Sequence, residues 1–230
     1  MARLARLIVP GYPHHIVQRG NNRQDIFLDD ADRERYLWLL AEAAKRYAVP
    51  IHAFVLMSNH IHLLATPPDS TAIAAVMQSV GRAYVPWFNK RRERTGTLFE
   101  GRFRSSVVDA DYYLFACARY IEMNAVRAGM VESPADYRWS SYRHNVGLEK
   151  HPLITEHAAM WGLGNTPFER QSAYKKMFEI PIDERATTLI KSSFKSGLPL
   201  GRESWIQGLA KQQTRRVVAG QAGRPKSASR

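Results

Sequence analysis

One cysteine, Cys117, stands among the 230 residues. That excludes an intramolecular disulfide framework and any zinc site built from several thiolates. No apolar run approaches the ~18 residues of a membrane-spanning helix. A G-x-x-x-x-G-K-[ST] phosphate loop is missing, so no nucleotide cofactor is expected, and there is no internal repeat. The start, MARLARLIVPGYP, is basic but lacks a long apolar stretch and a small-residue cleavage site. A cytoplasmic protein without membrane contact is therefore expected. Acidic residues are scarce: 21 Asp+Glu face 33 Lys+Arg, a formal charge of +12. Apolar residues make up 45%, enough for a packed core. The charge excess favours a polyanionic partner, nucleic acid first.

The pattern predicts an α+β fold. His14 to Arg19 reads as a strand closed by the Gly20-Asn21-Asn22 turn signal. Asp29 or Asp30 caps a helix over 31–47, stopped by Pro50. IHAFVLM (51–57) and HIHLLAT (60–66) form a hairpin around Ser58-Asn59. Ser70 is the expected cap of a helix over 71–88, which Pro86 should end or bend. A fourth strand is expected over 104–108. A helix capped by Asp109 or Asp111 follows and runs to about Ala128, with Gly129 as its left-handed stop. This order suits a ferredoxin-like four-stranded antiparallel sheet with two helices on one face and the further helix against the sheet. The catalytic-type domain is expected over 1–130, a helical C-terminal extension over 131–215, and a basic disordered tail over 216–230.

The sharpest local feature is Asn59-His60-Ile61-His62. Alternate strand residues share a face about 7 Å apart, so His60 and His62 can present two imidazoles to one point. Two ligands rarely suffice for a metal, and a pair of polar residues on a solvated face is the competing reading. On the helix 110–128, Tyr120 and Asn124 are four apart and project together. The phenol is a candidate nucleophile and the carboxamide oxygen a hard, neutral metal ligand. Read from the residues alone, a core tyrosine with a hydrogen-bonded asparagine is favoured over that assignment. The i+4 partners of Tyr112 and Tyr113 are Ala116 and Cys117, neither suited to an oxygen-seeking metal.

Taken together, HIH after an apolar hairpin, FEGRFRSS (99–106) and RYIEMNAVRAGMV (119–131) resemble the HUH single-tyrosine transposases. These are the insertion-sequence-200-like group, and within it the REP-associated tyrosine transposases. QRGNNRQDIF (18–27) and WSSYR (139–143) extend the resemblance over about residues 8–145, and PLGRESWI and GRPK resemble the C-terminal extension of some members. The resemblance implies that His60, His62 and Asn124 bind a divalent metal, Mg2+ or Mn2+, and that Tyr120 attacks DNA. It implies a transposase that nicks and rejoins single-stranded or hairpin, REP-like palindromic DNA through a 5′-phosphotyrosine. It also implies a monomer rather than a dimer. Ala125 departs from the proline that many relatives carry after the asparagine.

Arg82, Lys90, Arg91, Arg92, Arg94, Arg102 and Arg104 are interleaved with Tyr84, Trp87, Phe88, Phe99 and Phe103. Arginine on phosphates with aromatics on unpaired bases is how single strands are held. Arg19, Asn21 and Arg23 in the first turn and Arg224 and Lys226 in the tail join the expected DNA contacts. Two rival readings remain: a domesticated protein that binds structured DNA without cutting it, and an unrelated metal-dependent hydrolase using the two histidines.

Overall fold

The computed structural model describes residues 6–212 and 217. Strand β1 (His14–Arg19), helix α1 (Asp30–Arg46), strands β2 (Ile51–Leu56) and β3 (His60–Ala65), helix α2 (Ala72–Arg91), strand β4 (Arg104–Val107) and helix α3 (Ala110–Glu122) follow one another. The four strands form one antiparallel sheet in the order β2-β3-β1-β4, the ferredoxin-like order expected. Helices α4 (Asn124–Arg127), α5 (Tyr142–Asn145), α6 (Pro167–Lys176), α7 (Glu184–Ser196) and α8 (Glu203–Gln212) complete the described chain. None of the described helices is long and apolar enough to cross a membrane.

Cross-strand register sorts the side chains into two faces. Val17 pairs with His62, Arg19 with His60, His15 with Leu64 and Val17 with Arg104, so these residues share one face. Ile16, Leu63 and Ile51 point the other way, where α2 packs through Ile73, Val76 and Met77. Helix α1 lies beside α2, with the Tyr36 and Tyr84 ring centroids 5.1 Å apart. Helix α3 covers the opposite, histidine-bearing face, and α7 lies next to it.

Several local expectations are corrected. Helix α2 starts at Ala72, and its first amides are met by Asp69 Oδ1, which accepts from Thr71 and Ala72 N–H (2.7 and 2.9 Å), rather than by Ser70. It runs through Pro86, which is exposed, to Arg91. The expected helix 110–128 breaks at Met123 (φ −83, ψ 3). Asp109 sits at the cap position, yet its carboxylate makes no cap bond and instead accepts from Arg202 Nε at 3.0 Å. Asp29 caps α1 and Gly129 is left-handed at φ +67, both as read from the sequence.

The hydrophobic core crosses the boundary expected near residue 130. Trp139, Tyr142, Met160, Tyr174, Ile190 and Leu200 belong to the same buried cluster as Ile16, Phe54 and Ile121. Backbone bridges Val55–Ser140 and Val108–Leu200 stitch the later segments onto the sheet. Tail residues Arg224 and Lys226 lie outside the described residues.

Candidate functional site around Tyr120 and the histidine face

Because β3 alternates, His60 and His62 leave the sheet on the same side, flanking Ile61, which is fully buried in the core. Their ring centroids are 5.1 Å apart. Asn59 Oδ1 lies 2.6 Å from His60 Nδ1, and His15 Nε2 lies 2.7 Å from His62 Nδ1. Both contacts engage Nδ1, and neither Nε2 has a hydrogen-bond partner among the described residues. A ligating imidazole is normally held in this way, through a hydrogen bond on its other nitrogen. Burial first, then the neighbouring Arg19, pushes His60 down to about 4. Burial, reinforced by His15 and His60, holds His62 well below the ordinary histidine range. Both rings are therefore neutral at neutral pH, the state a metal requires.

Helix α3 brings Tyr120 over this face. Its ring centroid is 6.0 Å from His62 and 5.9 Å from His15, both edge-on. Tyr120 is 4% exposed, and burial raises its phenol above the ordinary value, with Arg127 pulling in the opposite direction. The Arg127 guanidinium carbon lies 3.9 Å from the ring centroid. Asn124 stands just past the helix break. Its Nδ2 donates back to the Tyr120 and Ile121 carbonyls (3.1 and 3.0 Å), supplying donors that the interrupted backbone no longer offers. Its Oδ1 accepts from Arg127 Nη2 at 2.9 Å and has a second lone pair.

Two neutral imidazoles and one carboxamide oxygen make a donor set of the kind a divalent ion takes, and the nitrogen content favours manganese over magnesium. The residues thus fit a metal held chiefly by His60 and His62. Among the described residues there is no group of three His, Cys, Asp or Glu that could hold one, so a third protein donor has to be a neutral one such as Asn124.

Three further residues complete the site. His15 backs His62, Arg127 covers Tyr120, and Phe194 of α7 sets its ring edge-on against both His15 (5.2 Å) and His62 (5.9 Å). Arg127 was signalled by its spacing, seven residues and two turns from Tyr120. Phe194 carried no local signal.

The expected DNA-contact arginines divide. Arg19, Arg23, Arg102 and Arg104 line a cleft of about 250 Å3 together with Lys195 and Phe194, Glu100 being its one acidic wall residue. Arg82 lines a second, larger cavity that shares Arg102. Arg91 and Arg92 do not join them. Each donates to both Asp29 and Asp32 at 2.6–2.8 Å, and the fully buried Asp32 makes this box part of the fold. Arg94 is spent on Gln24 Oε1 and the Thr97 carbonyl, and Asn21 reaches Thr97 Oγ1. Lys90 is exposed at the end of α2.

Comparison with known proteins follows the same residues. The IS200-like transposase family model matches residues 9–124. A REP-associated tyrosine transposase solved bound to a REP hairpin superposes with a TM-score of 0.53 at 17% identity, covering 69% of this chain and 96% of that one. A protein of Deinococcus radiodurans R1, assigned provisionally to the transposases, reaches a TM-score of 0.38 at 17% identity, covering 56% and 98%. No curated protein matches the chain. With half of its length accounted for by that model, including both histidines of β3, Tyr120 and Asn124, the chain belongs to the IS200-like transposase family.

Proposed function

We propose that this protein cuts and rejoins single-stranded or hairpin DNA by transesterification, with Tyr120 as nucleophile and a divalent metal held by His60, His62 and Asn124. The observation that carries the proposal is the meeting of Tyr120 with His62 over the sheet, at 6.0 Å between ring centroids. The hairpin bound by the structural neighbour favours DNA with unpaired segments as substrate. The metal, when bound, supplies positive charge to a non-bridging oxygen of the scissile phosphate.

The chain's own residues do the rest. The Tyr120 oxygen attacks phosphorus in line, forming a new O–P bond as the bond to the 3′ oxygen breaks. DNA is left joined through its 5′ phosphate to the tyrosine. The phenol is neutral in the resting site, and burial raises it further, so it gives up its proton during attack while the departing 3′ oxygen takes up a proton and leaves as a hydroxyl. Arg127, stacked on the ring, opposes that rise and favours the developing phenolate. His15 and Asn59 keep the two imidazoles oriented. One phosphodiester replaces another, so rejoining needs no nucleotide.

The deciding experiment is a denaturing gel of hairpin-bearing single-stranded DNA incubated with the protein and manganese. A shifted, protease-sensitive band is expected. Binding without any such band would favour the competing reading of a domesticated, non-cutting binder of structured DNA.

A further inference from the structure

On the face of the sheet opposite the histidines, α2 and the segment 97–103 bound a groove of about 700 Å3. This lies within the range of small-ligand pockets. Its walls include Ala74, Phe99 and Phe103, and every charged residue that lines it is an arginine: Arg6, Arg82 and Arg102. Arg6 lies flat on the Phe103 ring, 3.7 Å from its centroid. Arg82 and Arg102 are exposed and have no ion-pair or hydrogen-bond partner among the described residues. Unpaired guanidinium groups around an apolar slot fit a ligand that is flat and apolar at its centre and anionic along its edge.

Gly81 adds an independent point. It sits inside α2, where glycine is less stable than alanine. Its backbone angle does not require glycine, and an added Cβ would meet nothing within 4 Å. The fold therefore gives no reason for its missing side chain, whereas a ligand lying close to the helix would. Arg102 also lines the cleft with Arg19, Arg23, Arg104 and Lys195, whose wall residue Phe194 touches His62. The two cavities share Arg102 as a wall residue near the start of β4.

We infer that this groove holds unpaired nucleotides of the DNA strand, with bases against Phe99, Phe103 and the open flank at Gly81, and phosphates on Arg82 and Arg102. The inference rests on the reading of DNA as substrate and assigns the sheet's far face to the single-stranded portion. Base–aromatic stacking of this kind tolerates any sequence, since every base has a flat face.

The test uses the full chain carrying Tyr120→Phe, so that no covalent capture intervenes, and a fluorescein-labelled DNA hairpin with single-stranded arms, read by anisotropy. Gly81→Leu fills the groove without backbone strain, and its melting temperature is expected to equal or exceed the parent's. Its affinity for the armed hairpin should fall about tenfold, the effect of losing one stacked base. Abasic positions in the arms should weaken the parent by a similar factor and leave Gly81→Leu unchanged, the non-additivity of groups in contact. Arg82→Ala should flatten the salt dependence. Unchanged affinity in Gly81→Leu overturns the inference, and so does a parent that binds blunt and armed hairpins alike. Additive effects of filling and base removal place the bases elsewhere. Altered sedimentation with unchanged DNA binding makes the groove an interface between copies instead. Failure of the Tyr120-bearing chain to form an adduct would count against strand cleavage and leave this binding measurement intact.

Discussion

Tyr120 is held by three neighbours of different kinds: the imidazole edges of His15 and His62 and the flat guanidinium of Arg127. Its hydroxyl makes no hydrogen bond among the described residues, so removing that oxygen leaves no partner stranded. Tyr120→Phe is thus expected to fold and bind DNA as the parent does, within about twofold, and to form no protein–DNA adduct on a denaturing gel. An adduct in that variant would move the nucleophile to another residue. That His60 and His62 share one face of β3 was legible in the sequence, because strand period two is a local rule, whereas the roles expected of them and of Tyr120 and Asn124 came from the family resemblance. The specific pairing of His15 with His62 was not legible, because it depends on how β1 registers against β3, 47 residues away. Arg91 and Arg92 show the reverse failure: a run of arginines says nothing of the carboxylates of α1 that neutralise two of them.

Helix α3 is anchored from behind by a buried carboxylate. Glu122 accepts from Ser141 Oγ (2.5 Å), Asn145 Nδ2 (2.7 Å) and Tyr174 OH (2.9 Å), tying α3 to α5 and α6. Glu122→Ala would strand three buried donors and should cost about 2–4 kcal/mol by urea unfolding, with Glu122→Gln milder. The Asp29–Asp32 box and the cleft arginines separate in the same spirit. Arg104→Ala should lower the salt dependence of DNA binding by roughly 0.7 to 0.9 in log–log slope, as expected for one lost phosphate contact. Arg91→Ala should instead lower the urea midpoint, through loss of its ion pairs to Asp29 and Asp32, and leave that slope unchanged. The order of elements from β1 to α3 followed from apolar periodicity and turn residues, whereas the helices after residue 130 were expected only as an undivided helical extension. The continuation of α2 past Pro86 did not follow, because a proline is itself a signal to end or bend a helix. The arrival of α7 on the histidine face was equally hidden, since it rests on Phe194 packing against strands far away in the chain.

The molecule as a whole buries several ionisable groups in one core, and this sets its response to acid. His14 and His52 are lowered to about 4 and His15 to about 3, each chiefly by burial. Between pH 6.5 and 4 the unfolded chain protonates these rings while the folded chain does not. Stability therefore falls on acidification, by up to ~1.4 kcal/mol per pH unit for each ring. Glu122, raised by burial to about 7, acts with the opposite sign: the folded state holds the extra proton from about pH 7 down to its unfolded value near 4.5. One carboxyl opposes at least three imidazoles, so the net change on lowering the pH is destabilising. In Glu122→Gln the opposing contribution is gone, and the loss of stability from pH 7 to pH 5, followed by urea midpoints, should be steeper than in the parent. Equal slopes would mean that Glu122 titrates normally. The basic composition pointed to a polyanion, but it could not show that the core would run past residue 130 to Tyr174 and Leu200. That continuity comes from side chains such as Trp139 and Tyr142, which looked in the sequence like the makings of a separate small unit.

Strand β1 lies between β3 and β4, hydrogen-bonded on both sides, and its consecutive residues serve two different regions. His15, Val17 and Arg19 face the tyrosine, while Ile16 and Gln18 face α2 and the groove. Inserting or deleting one residue in this six-residue ribbon would exchange the two sets at once, driving an imidazole into hydrocarbon and an isoleucine onto the histidine-bearing face. Substitutions here can be absorbed singly, but a change of length cannot, so homologues that keep both surfaces should keep the spacing between residues 14 and 19 fixed even where the letters drift.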